Sequence, residues 1–155
     1  FNNIWHHGDF AKITSKKGFI IVGRSDTTLN PGGVRLGTAE IYSEIERFKE
    51  IKESLVVGQS WDNDIRIILF VILDAKSELT EDLLKRMKLM IRKNASPRHV
   101  PHKIIQVQDI PRTKSGKIVE LAVKNTIEGN KIKNKEALAN PLSLKQYCNI
   151  KELQY

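Results

Sequence analysis

The chain has 155 residues, 40% of them apolar and 28% charged, with a formal net charge of +8. That balance excludes a disordered or collagen-like chain, and the length suits a folded unit with a real core. No apolar stretch reaches the length a membrane-spanning helix needs; the longest run, Ile67 to Leu73, is strand-sized.

A single cysteine, Cys148, excludes an internal disulfide and a zinc site built from paired cysteines, and it points to a reducing cytoplasm. The chain starts at Phe1 without Met or a signal-peptide pattern, so a piece of a longer protein is expected. The positive charge raises nucleic-acid binding, but solvated lysines account for it more simply.

The predicted elements begin with a β-hairpin. Asp9 to Thr14 and Phe19 to Val22 are strand-like, with Ser15-Lys16-Lys17-Gly18 between them and Gly18 expected to supply the turn. Gly23 to Gly37 is rich in Gly and turn formers and reads as a loop or joint. Thr38 is expected to cap a helix running to about Lys49, with Ile41, Ile45 and Phe48 on one face. Ser54–Gly58 and Ile65–Leu73 are β-branched strands around a turn at Trp61-Asp62-Asn63-Asp64.

Thr80 caps a second helix with Leu83, Met87, Met90 and Ile91 as its buried stripe. Pro97 and Pro101 bracket a loop, and Lys103 to Gln108 is a short strand. Pro111 to Gly116 is a turn-rich loop leading into a helix from about Lys117 to Ile127. The remainder is lysine-rich at first, then carries Asn140-Pro141 and a short terminal helix. The result is an α+β layout, a small sheet flanked by helices and preceded by a β-hairpin.

Four features have the residue types for chemistry. In His6-His7-Gly8-Asp9, the Gly allows close approach and the carboxylate is a double acceptor suited to a diol; a plain turn Asp is the simpler alternative. Adjacent His side chains diverge on a strand and no third ligand follows, so no metal site is expected.

The second feature is the joint with Arg24, Asp26, Gly32-Gly33 and Arg35. Its backbone lets an anion or a threaded ligand come close, and Arg35 adds a fork of donors. Its spacing fits neither a phosphate-binding loop of the Gly-Lys-Ser/Thr type nor a dinucleotide fingerprint.

The third is Pro111-Arg112-Thr113-Lys114-Ser115-Gly116-Lys117. Two lysines at the start of a helix oppose its dipole and need a reason. A mobile ammonium there could meet a carboxylate and a phosphate together. The fourth is Arg92-Lys93 with Arg98-His99, which the favourable field at a helix C-terminus explains alone. His99 reads as a hydrogen-bonded loop residue.

Taken in order from Gly8 to Lys117, these features resemble the carboxy-terminal part of the acyl-adenylate-forming acyl-CoA synthetase superfamily. The matching residues are Gly8-Asp9; Gly23-Arg24 with Asp26; Gly33, Arg35, Gly37-Thr38 and Glu40-Ile41; and Pro111-Arg112-Thr113 with Ser115-Gly116-Lys117. Trp5 to Phe10, Thr28 to Arg35, and the tail Asn140-Pro141-Leu142-Ser143-Leu144 with Tyr147, Ile150 and Glu152-Leu153-Gln154 resemble its acetoacetate-activating branch. Acetyl- and propionyl-activating branches are the nearest alternative.

The resemblance implies a ligase that joins a carboxylate to ATP, releases pyrophosphate, and then transfers the acyl group to CoA. It implies that residues 1–25 end a large amino-terminal adenylation domain and that residues 26–155 form a mobile lid that partners it. Asp9 would bind the ribose hydroxyls, Arg24 ribose or phosphate, and Arg35 the nucleotide phosphate. Asp26 would be the hinge and Lys117 the adenylation lysine. Gly32 and Gly33 would line the pantetheine path and Arg92 would sit near the CoA nucleotide. Magnesium is expected with ATP, bound outside this chain. A free-standing basic nucleic-acid or nucleotide module is a different reading. With 2 Trp, 3 Tyr and 5 Phe, several at core positions, no stacking platform for bases is evident.

Overall fold

The computed structural model describes residues 8–24, 28–132 and 134–154. Strands β1 (Asp9–Ile13) and β2 (Phe19–Arg24) pair antiparallel, with Asp9 opposite Arg24 and Ile13 opposite Phe19. The expected hairpin is present, but the left-handed residue of its turn is Lys17 (φ 59°), not Gly18. The turn closes through Thr14, whose amide donates to the Gly18 carbonyl at 2.9 Å and whose hydroxyl accepts the Gly18 N–H at 3.0 Å.

The second sheet has the order β3-β4-β5. Strands β3 (Ile51–Trp61) and β4 (Asp64–Leu73) are antiparallel and joined by Asp62 and Asn63, both at positive φ (48° and 59°). Asp and Asn tolerate that conformation, and a two-residue turn of this hand matches the strand twist. Strand β5 (Lys103–Gln106) runs parallel to β4, reached through helix α2 (Glu81–Asn94).

Side chains of β4 alternate between two cores. Ile67, Leu69 and Val71 face α2 and helix α1 (Thr38–Ile45), with Ile41, Ile45, Met87 and Ile91 opposite them. Ile68 and Phe70 face helix α3 (Glu120–Ile127) and the tail, with Val123, Leu144 and Tyr147. A strand covered on both sides reads as a continuous apolar run, which explains Ile67 to Leu73. The molecule is thus an α+β layering, helices on one face and a helix plus tail on the other.

Several boundaries differ from expectation. Helix α1 ends at Ile45 rather than Lys49, and Gly37 rather than Thr38 is its N-cap. Phe48 is still buried, because its amide folds back on the Ile45 carbonyl at 3.0 Å before the chain enters β3. The Thr80 cap holds, its hydroxyl accepting the Leu83 N–H at 3.2 Å. Strand β5 stops at Gln106 rather than Gln108. Helix α3 starts at Glu120, three residues after Lys117, because Ile118 bridges back to Arg112 and Val119 has non-helical φ and ψ (−115° and 76°). The short terminal helix expected in the tail takes 3-10 form, with segments Lys135–Ala137, Pro141–Tyr147 and Lys151–Leu153.

Candidate functional site

The glycine loop is anchored at its base and open at its tip. Leu29 and Leu36 form an antiparallel bridge, with N···O distances of 3.1 and 2.9 Å, and are 1% and 8% exposed in the α1/α2 core. Between them, Pro31–Gly33 makes a 3-10 turn with Gly32 at φ 57° and Gly33 at φ 76°. A side chain placed at either glycine would meet nothing within 4 Å. Backbone conformation, not crowding within the chain, therefore calls for glycine here, and the space in front stays open.

One carboxylate sets the tip. Gly32 N–H donates to both oxygens of Asp64, at 2.8 and 2.9 Å. The Ile65 and Gly32 amides hold the Asp64 carboxyl below its ordinary value. Asp64 follows the β3–β4 turn, so the hairpin tip and the glycine loop are tied together. Beside them Gly33, Asn30 and Trp61 line an open cleft of about 670 Å³. The Trp61 ring is oriented by Arg66, whose guanidinium lies 3.6 Å from its centroid and donates to Gln59 Oε1 at 2.8 Å and to the Leu153 carbonyl.

Arg35 is exposed in this loop, and Arg92 is exposed in the last turn of α2. Arg24 stands opposite Asp9 in the hairpin register. Asp26 lies outside the described residues, as do His6 and His7. His99 is buried between Ser96 Oγ, at 2.8 Å, and the Glu40 carboxylate, so it is the hydrogen-bonded histidine expected. Among the described residues no cluster of three or more His, Cys, Asp or Glu could hold a metal ion. No helix of the described residues is long and apolar enough to cross a membrane.

Lys117 lies on the other side of the sheet, next to the Ile118 and Val119 that pack into the α3/tail core. It is exposed on a turn, not at a helix start, so the helix dipole does not bear on it as expected. Thr113 closes that turn: its amide donates to the Lys117 carbonyl at 2.8 Å, and its hydroxyl accepts the Lys117 N–H at 3.1 Å. Gly116 takes φ 84° at the tip. The Arg112 guanidinium donates to the Gly116 carbonyl at 2.9 Å and pairs with Glu53 on β3. Among the described residues, no hydrogen bond or ion pair engages the Lys117 ammonium or the Arg92 guanidinium. Each is a cation presented outward.

Two groups that sequence reasoning missed close the sheet edge at β3. Tyr42 on α1 accepts the Val56 N–H at 3.0 Å and donates to Glu120 on α3 at 2.5 Å. Burial, reinforced by the Glu120 charge, raises the Tyr42 phenol well above its ordinary value, so it remains a donor. With Arg112, Glu53 and Ile118 these residues line a cleft of about 550 Å³. Tyr42 lies one residue beyond the Ile41 of the apolar stripe, and no spacing marks it as reaching across a sheet edge. Asn140 stands in the tail motif, and nothing in its spacing assigns it a contact with the Lys117 turn.

The family model described as "AMP-binding enzyme C-terminal domain" matches residues 40–117. The chain is 58% identical over 154 residues to the acetoacetyl-coenzyme A synthetase of Rhizobium meliloti (strain 1021), covering 99% of this chain and 24% of that protein. The solved acetoacetyl-CoA synthetase from Streptomyces lividans superposes with a TM-score of 0.85 at 40% identity, covering 97% of this chain and 23% of that one. The ATP-bound RpMatB-BxBclM chimera B1 superposes with a TM-score of 0.72 at 27% identity, over 79% of this chain and 24% of that one. The chain thus spans about a quarter of the length of the relatives it matches.

Proposed function

Because the chain belongs to the AMP-binding enzyme C-terminal domain family, we propose that it is the lid of a longer acid–thiol ligase that activates acetoacetate. In the first half-reaction a carboxylate oxygen of acetoacetate attacks the α-phosphorus of ATP and pyrophosphate leaves. In the second, the CoA thiol attacks the acyl carbon and AMP leaves, giving acetoacetyl-CoA.

One observation carries this reading: the similarity to a named acetoacetyl-CoA synthetase runs through 99% of the chain, tail included. The geometry supports the roles. Lys117 offers an unpaired ammonium on a braced turn, suited to bridging a carboxylate and an α-phosphate whose negative charge grows in the transition state. Gly32 and Gly33 offer open backbone to a narrow pantetheine arm. Arg92 offers a free guanidinium to the CoA phosphates, and Arg35 approaches the nucleotide phosphate. Asp9 takes the ribose hydroxyls, with Arg24 opposite it at the ribose or phosphate.

Residues 1–25 then end the amino-terminal adenylation domain, residues 26–155 form the lid, and Asp26 is the hinge. The substrates are acetoacetate, ATP and CoA. Magnesium accompanies ATP and belongs to the part of the enzyme this chain does not span. The setting is the cytoplasm, in keeping with one free cysteine, Cys148. The lid needs no membrane and no nucleic acid.

The test is ATP–pyrophosphate exchange by the full-length enzyme with acetoacetate, acetate and propionate. Acetoacetate should give the highest kcat/KM; equal or faster exchange with acetate or propionate overturns the substrate assignment. Tight binding of DNA or RNA that weakens steeply with salt would favour a nucleic-acid module instead.

A further inference from the structure

The Lys117 turn has almost no burial to hold it, since Lys114 to Lys117 are all exposed. What braces its base is Asn140, in the tail beyond the family match at residues 40–117. The Asn140 amide uses both of its ends. Its Oδ1 accepts the Arg112 N–H at 2.8 Å, and its Nδ2 donates to Asp109 Oδ2 at 2.7 Å and to the Ile110 carbonyl at 2.9 Å. The neighbouring Ala139 N–H donates to the Arg112 carbonyl at 2.8 Å. Both backbone groups of Arg112 are therefore held from the tail, and Arg112 in turn holds Gly116 and pairs with Glu53.

We infer that Asn140 is a positioning residue for Lys117, so that the tail sets the efficiency of adenylation. This rests on the role proposed for Lys117 above. An ammonium that must bridge two anions works only from a defined place, and a displacement near 1 Å costs on the order of 10² in rate. A turn hinged on Gly116 would drift if Arg112 were released. Asparagine suits this place better than aspartate: a carboxylate would accept from Arg112 but would face the Asp109 carboxylate without a donor.

The tail has separate anchors, which makes the inference testable. Tyr147 OH and Gln146 Nε2 donate to the Asp109 carbonyl at 2.9 and 2.7 Å. The Tyr147 ring packs edge-on against Phe70 with centroids 4.9 Å apart. Loss of the Asn140 amide should therefore leave the tail docked.

The experiment uses the full-length enzyme with Asn140→Ala, Asn140→Asp, Lys117→Ala and the Asn140→Ala/Lys117→Ala double variant. Asn140→Ala should lower kcat for ATP–pyrophosphate exchange by about 10- to 100-fold. KM should change little, and thioester formation from supplied acetoacetyl-adenylate should persist. Asn140→Asp should fall at least as far. In the Lys117→Ala background the second substitution should cost nothing further, because the group it positions is gone.

Equal slowing of both half-reactions, or full additivity with Lys117→Ala, overturns the inference. A Lys117→Ala enzyme that loses both half-reactions equally overturns the role proposed for Lys117 instead. Amide hydrogen exchange is decisive either way. Protection of residues 112–117 should drop in Asn140→Ala while that of β4 stays unchanged, and unchanged protection at 112–117 refutes the positioning role.

Discussion

The two faces of the central sheet present functional groups by opposite means. On the α1/α2 face, a glycine loop is pinned by two buried leucines and one carboxylate, and its tip is bare backbone. On the α3/tail face, a lysine is carried on a turn with little burial and a dense set of hydrogen bonds at its base. In the proposed reading the difference follows from the tasks. A backbone that must admit a ligand is kept clear of side chains, and apolar burial behind it fixes it without crowding. A long charged side chain cannot be fixed by burial without a desolvation cost, so its supporting backbone is fixed by polar contacts instead. In the proposed reading the faces divide the reaction: the lysine serves adenylation and the glycine loop serves thioester formation.

The sharpest way to break that division is a pair of variants in the full-length enzyme, each assayed in both half-reactions. Lys117→Ala should reduce ATP–pyrophosphate exchange by about 10²–10³-fold, as when an oxyanion-type contact is removed. Thioester formation from supplied acyl-adenylate should be spared. Gly33→Val should do the reverse. It sets a β-branched residue at φ 76° and fills the open backbone, so thioester formation should slow by about 10-fold or more while exchange persists. If either variant impairs both steps alike, the two faces do not divide the reaction.

Behind the glycine loop the packing is tight, unlike its tip. A Cβ at Gly58 would lie 2.7 Å from Ile65 Cγ2 and 3.2 Å from Leu29 Cδ2, and Leu29 is the anchor of the loop. Gly58→Ala should therefore destabilise by about 1–3 kcal/mol through overpacking. Denaturant midpoints of the variant and the parent measure this, and a loss below 0.5 kcal/mol would show that Ile65 and Leu29 yield more easily than the geometry suggests.

Much of this architecture was legible in the sequence. The hairpin, the two long strands, the capped second helix and the apolar stripe all follow from local periodicity and turn chemistry, because each depends on neighbours a few residues apart. The errors share a cause. The end of the Pro111–Gly116 loop suggests a helix from about Lys117, whereas Arg112, Thr113 and the tail draw Ile118 into a bridge.

Residue type points to Gly18 for the turn, but Lys17 takes the left-handed position. Lys117 and the glycines stood out through motif order, and the structure sets them on opposite faces, which linear order does not reveal. Asn140, Asp64 and the Tyr42–Glu120 pair were missed because each acts between residues far apart in the chain; the Tyr42–Glu120 contact joins positions 78 apart. Polar residues of common type carry no periodic signal for such pairings.

A smaller effect tests the clamp on the lysine side. Burial, with the Asp109 charge, holds the Tyr147 phenol above its ordinary value, so its hydroxyl remains a donor to the Asp109 carbonyl across the neutral range. Tyr147→Phe keeps the ring against Phe70 and deletes that bond alone. Stability should fall by about 1 kcal/mol, since Gln146 still satisfies the carbonyl. A loss above 3 kcal/mol in denaturant unfolding would mean that the hydroxyl organises the whole tail rather than one contact.

The smallest effect is a pH dependence on the glycine-loop side, where Asp64 and His102 line one cleft. Burial first, and then Arg66, Lys103 and Lys88, lower the His102 pKa below its ordinary 6.5. A base with a depressed folded pKa binds its proton more weakly in the folded state. Its contribution is complete above about pH 6.5 and is lost as pH falls through the lowered value. Asp64 has the same sign in a lower window: its contribution is complete above its ordinary 3.8 and disappears as pH falls through the lowered value.

Stability should therefore decline in two steps on acidification. His102→Gln should flatten the upper step and Asp64→Asn the lower one. The Asp64 change should also raise amide exchange at Gly32, whose N–H would lose a charged acceptor. Because Asp64 and His102 are both exposed, solvent screens both steps and the shifts in midpoint should be small. Faster exchange at Gly32 without any change at Lys117 would show that each face keeps its own anchor.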